Sequence, residues 1–223
     1  MRNFDSIVRY IQTNQLDAAF DEIKKQLNEF PDEPLLYTYL GNILFQVQDF
    51  EQAETAYKKA IRIDETSATA YFGIGNVFAK IEQYERARKA FLKALELGLD
   101  HDSNAHFMIG LMYYKANDYL HALPYLQRAY ELDANDIEAY FQYGLSLAKL
   151  QFLEEAEKVF QTVIEKDSSH SDAYYNAGLI SLERERAQEA LSLFEQAISI
   201  QEDHRLALKG KKLAQQQIAK NDE

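Results

Sequence analysis

Residues 70–97 read AYFGIGNVFAKIEQYERARKAFLKALEL, and this stretch decides the fold. Tyr71, Ile74, Gly75 and Phe78 stand at i, i+3, i+4 and i+7, one face of a first helix. Ala87, Phe91 and Ala94 stand at i, i+4 and i+7, one face of a second, and the polar pair Glu82-Gln83 marks the turn between them. The stretch is a helical hairpin.

Steps of 34 or 35 residues in either direction meet the same small residue of the first helix: Gly41, Gly75, Gly110, Gly144 and Gly178. A glycine inside a helix costs about 1 kcal/mol relative to alanine. Its return at one point of successive helices therefore predicts that another helix comes close there. The second-helix alanine repeats in phase (Ala53, Ala87, Ala122, Ala156, Ala190), as does a large apolar residue four positions on (Tyr57, Phe91, Leu126, Phe160, Phe194). Repetition at this period means a solenoid of stacked hairpins.

Tyr71, Ile74, Gly75, Phe78, Tyr84, Ala87, Phe91 and Ala94 stand where the tetratricopeptide repeat (TPR) pattern places them, and the chain resembles that family over nearly its whole length. The units fall at residues 34–67, 68–102, 103–136, 137–170 and 171–204, with a weaker hairpin at 1–33 and a capping helix at 205–223. The family's tryptophan is replaced by Tyr37, Tyr71, His106, Tyr140 and Tyr174, and its end-of-repeat proline survives only as Pro31. The resemblance implies an all-α fold: an α-solenoid of about six TPR hairpins plus the capping helix, wound as a right-handed superhelix in a single domain.

A formal net charge of −12 argues against a nucleic-acid partner held by a general positive field. With no cysteine there is no disulfide, thiolate metal site, catalytic thiol or lipidated cysteine. The opening MRNFDSIVRYIQTNQLD carries Asp5, Arg9 and Asp17 and lacks the apolar core of a signal peptide. Nowhere do about 18 apolar residues run together, so no membrane span is expected and a cytoplasmic location is the default.

Along the chain, Phe4, Ile7, Tyr10 and Ile11, then Leu16, Ala19, Phe20, Ile23 and Leu27, give the first hairpin its inward faces around a turn at Asn14-Gln15. Pro31 and Pro34 close it. Asp49 and Asp118 are placed to cap second helices. Pro124 falls early in its helix, where a bend is expected rather than a break. The join after Leu97 holds one extra residue, with Gly98 a helix C-cap or, alternatively, a hinge. In the tail after His204, Leu206, Leu213 and Ile218 are spaced for partial burial beneath an otherwise polar face.

No phosphate loop, metalloprotease motif or nucleophile elbow appears, so no catalytic residue, cofactor or metal site is assigned. His101, His170 and His204 recur in the joins between repeats and read as solvated loop histidines.

The TPR resemblance implies that the first helices line a concave groove through their fifth, ninth, twelfth and thirteenth repeat positions. The fifth gives Thr38, Phe72, Phe107, Phe141 and Tyr175; the ninth Asn42, Asn76, Leu111, Leu145 and Leu179. The twelfth gives Phe45, Ala79, Tyr114, Ala148 and Leu182; the thirteenth Gln46, Lys80, Lys115, Lys149 and Glu183. Such a groove would hold an aromatic ladder with three lysines beside it, although each ring can equally serve as packing against the next repeat. The implied peptide-binding residues are Asn42, Phe45, Phe72, Asn76, Lys80, Phe107, Leu111, Tyr114, Lys115, Phe141, Leu145, Lys149 and Tyr175.

The implied function is a non-enzymatic scaffold or adaptor that binds a partner peptide or helix in this groove. The alternative is a peptide-sensing regulatory subunit whose superhelix changes shape on binding. The lysine, asparagine and arginine clamp by which chaperone-binding TPR domains hold a terminal carboxylate is absent. In architecture the chain looks like the small stand-alone TPR proteins of the bacterial cytoplasm. The expected partner is a protein or peptide segment with apolar anchors and some acidic groups, not nucleic acid or membrane. A homodimer through a terminal repeat stays open.

Overall fold

The computed structural model describes residues 4–221, so residues 1–3 of the first predicted hairpin and 222–223 of the predicted capping helix lie outside it. Thirteen α-helices and no strand occupy the described residues. Hairpins pair α1 (Asp5–Gln12) with α2 (Leu16–Glu29), α3 (Pro34–Gln46) with α4 (Phe50–Ile63), and α5 (Ala68–Lys80) with α6 (Tyr84–Ala94). Then come α7 (Ser103–Lys115) and α8 (Tyr119–Leu132), after which α9 (Ile137–Lys149) pairs with α10 (Leu153–Lys166) and α11 (Ser171–Glu183) with α12 (Ala187–Ile200). A lone helix, α13 (Arg205–Asn221), follows. The chain divides into two compact units between Ala116 and Asn117, the first holding α1–α7 and the second α8–α13.

The repeated glycines touch the repeated rings. A Cβ on Gly41 would lie 2.7 Å from the Tyr57 ring, and one on Gly75 2.6 Å from Phe91. In the second unit Gly178 meets Phe194 at 2.7 Å, and Gly144 meets Val159 at 2.8 Å and Phe160 at 2.9 Å. Two further glycines close the other side: Gly73 of the next hairpin approaches Tyr57, and Gly210 of α13 approaches Phe194. These rings are buried, as are the alanines one turn earlier. In α4, α6, α10 and α12 a ring is thus held against bare backbone of the first helix of the same hairpin.

The turn within each repeat passes through a left-handed residue: Asn14, Gln48, Glu82, Asn117, Gln151 and Glu185, all near φ 60° and none a glycine. In the joins between hairpins, the Asp64, Asp133 and Asp167 carboxylates accept the N–H two residues on. The Thr66 and Ser169 hydroxyls also donate to Asp64 and Asp167, and with the backbone N–H they hold both carboxyls below their usual range. Asp49 and Asp118 cap α4 and α8, accepting from Gln52 N and His121 N.

Two irregular positions behave as the sequence led us to expect, and two further expectations need correction. Gly98 closes the helix that begins as α6: within Leu95–Leu99 it alone leaves helical backbone angles, at φ 119° and ψ 12°, the left-handed conformation of a glycine cap.

Pro124 is the sixth residue of α8, past the four whose N–H groups are free in any helix. The helix still runs unbroken because Pro124 and Leu120, whose carbonyl loses a partner, lie on the exposed side where water can serve.

In α13 the buried residues are Ala207, Gly210 and Ala214, while Leu206 and Leu213 are 52% and 54% exposed. The Phe194 ring lies so close that only small residues fit against it, which turns the leucines outward.

The join histidines are not all solvated. His101 is exposed, but His170 lies on Phe141 at 4.4 Å between ring centroids, and His204 is 6% exposed. Both accept a backbone N–H at Nδ1 as helix caps, from Ala173 and Ala207. His204 Nε2–H in turn donates to Asp172 at 3.0 Å.

Candidate functional site

The first-helix face of the first unit carries a pocket of about 350 Å³ built from three successive hairpins. Thr38 and Asn42 come from α3, Thr69, Phe72, Gly73 and Asn76 from α5, and Leu99, Asp102 and Asn104 from the start of the third. On α5, Thr69, Phe72 and Asn76 are i, i+3 and i+7 and so share one stripe. Gly73 leaves the floor without a side chain, because the Tyr57 ring already occupies that space from below.

The polar lining is mostly amide. Asn42 Oδ1 accepts from the Tyr57 hydroxyl at 2.6 Å, which fixes its orientation and leaves its NH₂ free to donate. Burial pushes the Tyr57 hydroxyl far above its ordinary pKa, so it stays a neutral donor. Among the described residues the side-chain amides of Asn76 and Asn104 make no hydrogen bond. Asp102 is the one carboxylate, with Oδ1 engaged by Ala105 N at 2.7 Å as the cap of α7. Phe72 packs one side against Phe91, ring centroids 5.2 Å apart, and is half-buried.

Of the implied binding residues, the structure brings Asn42, Phe72 and Asn76 together here, with Thr38 from the same set. Phe45 turns instead toward Phe50, at 5.6 Å within its own hairpin, and does not line the pocket. Lys80 and Lys115 are exposed at the ends of α5 and α7 and stand outside it. Phe107, Leu111 and Tyr114 are half-buried on α7.

In the second unit, Phe141 is only 6% exposed and cannot present its ring as a ligand anchor. It is held between Phe160 and His170. The cause is the cap of the next first helix: where the first unit has Asp102 beside Phe72, the second has an imidazole beside Phe141. Tyr175 is half-buried between Phe194 and His204. Leu145 packs against the core and Lys149 is exposed.

Thr69, Leu99, Asp102 and Asn104 escaped sequence reasoning. Thr69 and Asn104 occupy the second repeat position, three residues before the fifth, so the helical period would have added them to the stripe. Leu99 and Asp102 belong to the irregular join and carried no such signal.

Among the described residues no group of three or more His, Asp or Glu is placed to hold a metal ion. No described helix is long and apolar enough to cross a membrane.

Family models described as TPR repeat and tetratricopeptide repeat match residues 41–82, 66–135 and 142–204. No curated protein matches significantly. Among solved structures, YrrB, described as a TPR protein with an unusual peptide-binding site, is 41% identical; the match covers 85% of this chain and 97% of that one with a TM-score of 0.79. The pilF protein of Pseudomonas aeruginosa is 16% identical with a TM-score of 0.78, covering 92% of this chain and 93% of its own. MamA is 23% identical with a TM-score of 0.70, over 73% of this chain and 94% of its own. At these identities the last two are alike in fold alone.

Proposed function

Because the chain belongs to the tetratricopeptide repeat family, we propose that it is a non-enzymatic adaptor that takes an extended segment of a partner protein into the pocket on the first-helix face of its first unit. The observation that carries this is the convergence of the unpaired Asn76 and Asn104 amides with Asn42 beside the Phe72 ring. An extended peptide presents N–H and C=O groups in alternation, and a side-chain amide offers both a donor and an acceptor. Three amides drawn from three hairpins hold a backbone whatever its side chains, and Phe72 adds an apolar contact that favours one large side chain at that point. Peptide binding in YrrB supports the same class of ligand.

The lysines act beyond the pocket. Asp102 repels a carboxylate placed inside, so acidic residues of the partner lie outward, toward Lys80 and Lys115.

The test is a displayed library of unstructured peptides selected on the intact chain, with affinities read by fluorescence anisotropy. Asn76→Ala with Asn104→Ala is expected to weaken the selected peptides by tenfold or more, about 1.4 kcal/mol, and Phe72→Ala to abolish the preference for one large apolar residue. Selected peptides that bind both variants as tightly as wild type would place the function elsewhere.

A further inference from the structure

The opposite, second-helix face of the first unit carries two grooves, one on each side of α4. The first, about 560 Å³, is floored by Tyr37, Leu40, Leu44 and Ala56 and rimmed by Lys59 and Arg62 together with Glu51, Gln52 and Thr55. The second, about 340 Å³, is floored by Tyr71, Ile74 and Phe78 and rimmed by Lys58 and Lys89, which are 56% and 74% exposed.

In a chain of net charge −12, residues 58–93 hold eight Lys and Arg against four Asp and Glu. Part of that charge is already engaged: Glu54 bridges Lys58 at 2.7 Å and Arg86 at 2.9 Å, and Lys89 meets Glu85 at 3.3 Å. Lys59 lies over the Tyr37 ring, and among the described residues neither it nor Arg62 has an acidic partner.

In the second unit the groove between α10 and α12, about 500 Å³, is lined by polar and charged residues, Glu154, Glu157, Lys158, Gln161, Thr162 and Arg184, and the space between α8 and α10 is filled. Tyr130 stacks there on Tyr140 at 4.0 Å, and Tyr140 on Tyr143 at 6.0 Å. Glu155 stands there at the repeat position of Arg86. Open apolar floors with cationic rims are therefore a property of the first unit's grooves and not a consequence of the repeat.

We propose that this face docks an acidic amphipathic helix from a partner protein, with two large apolar side chains seated on either side of α4. The grooves are one helix diameter apart, about 10–12 Å, and residues seven apart on a helix are separated by about 10.5 Å. A helix satisfies its own backbone, which suits walls made mostly of cations and carbon, where the one lining amide, Gln52, already donates its Nε2–H to Asp49. The first-helix pocket offers the reverse, amides and no cation. The acidic face of the docked helix meets Lys59, Arg62 and Lys89.

The probe is a displayed library of 20-residue helix-favouring peptides with a fixed acidic face and randomised apolar positions, selected on the full chain. Selected peptides should carry large apolar residues seven apart and become helical on binding, by circular dichroism. The surface variant Lys59→Glu with Arg62→Glu and Lys89→Glu, first shown by its melting curve to be folded, should lose at least tenfold in affinity for them. Asn76→Ala with Asn104→Ala should lose nothing, which separates this surface from the first-helix pocket. Failure to enrich any peptide over a scrambled library, full affinity in the charge-reversed variant, or loss in the asparagine variant would each overturn the proposal. So would binding to phosphatidylglycerol vesicles that is abolished by the charge reversal while no peptide is selected, since that would make the face a membrane contact.

Discussion

At Gly75 a methyl group would come within 2.6 Å of the Phe91 ring, and that ring is fully buried and packed against Phe72, so it has little room to yield. Gly75→Ala gains helix propensity of about 1 kcal/mol yet overpacks the site, and we expect a net loss of about 1–2 kcal/mol in urea denaturation. Adding Phe91→Leu should recover part of the loss, because Leu126 fills the same repeat position elsewhere in the chain. A stable single variant would mean that the helices can part at that point. The turn residues predict the opposite sign. Glu82 and Gln151 are held at positive φ, where a side chain costs about 1–2 kcal/mol and glycine's extra chain entropy returns only part of that. Glu82→Gly and Gln151→Gly should each stabilise by about 0.5–1 kcal/mol, and Asn14→Gly by less, since asparagine already tolerates this conformation. The sequence marked Asn14 and Glu82 as turn residues and suggested the left-handed conformation for Asn14; that Glu82 shares it came from the structure.

At the scale of single elements, α13 shows how a helix with leucines can pack through its alanines. The Phe194 ring is flanked by Gly178 and Gly210, whose added Cβ atoms would come to 2.7 and 2.6 Å, so α13 docks on the small-residue stripe Ala207, Gly210 and Ala214. Gly210→Ala should destabilise by about 1–3 kcal/mol through overpacking. Leu206→Lys with Leu213→Lys should change stability by no more than about 0.5 kcal/mol per site, as surface substitutions do. Thermal melts of the two variants give the comparison; a large loss from the leucine variant would show that α13 packs through the other face. Periodicity alone favoured the leucines because it scores hydrophobicity and cannot register that a ring from another helix has taken the space.

For the molecule as a whole, a solenoid's stability is a sum of hairpin terms and nearest-neighbour terms, because a hairpin packs only against the hairpins beside it in sequence. A local lesion should stay local. In hydrogen exchange, Gly75→Ala should raise exchange most in α5 and α6, less in α3, α4 and α7, and little in α11–α13. A uniform rise across all thirteen helices would show that the chain opens as one cooperative body. Charge is distributed with the same locality: a net −12 coexists with a cation-rich stretch at residues 58–93, so the sign of the whole does not decide which ligand any one face attracts.

The sequence by itself determined the period, the hairpins and the large apolar residue set four positions after each second-helix alanine. These follow from helix geometry, which fixes which residues share a face, and from the repeat, which states each answer several times. That Asn42, Phe72 and Asn76 face one groove was implied by the resemblance to the TPR family. Only the tertiary structure decided which implied ligand contacts are open. Phe72 and Phe141 occupy the same repeat position, yet a carboxylate stands beside one and an imidazole covers the other, through helix caps some 30 residues further along the chain. The openness of the grooves beside α4 was decided in the same way, since tyrosines from two helices fill the matching space in the second unit. Exposure depends on which side chains from other elements arrive at a position, and a period along one chain carries no record of that.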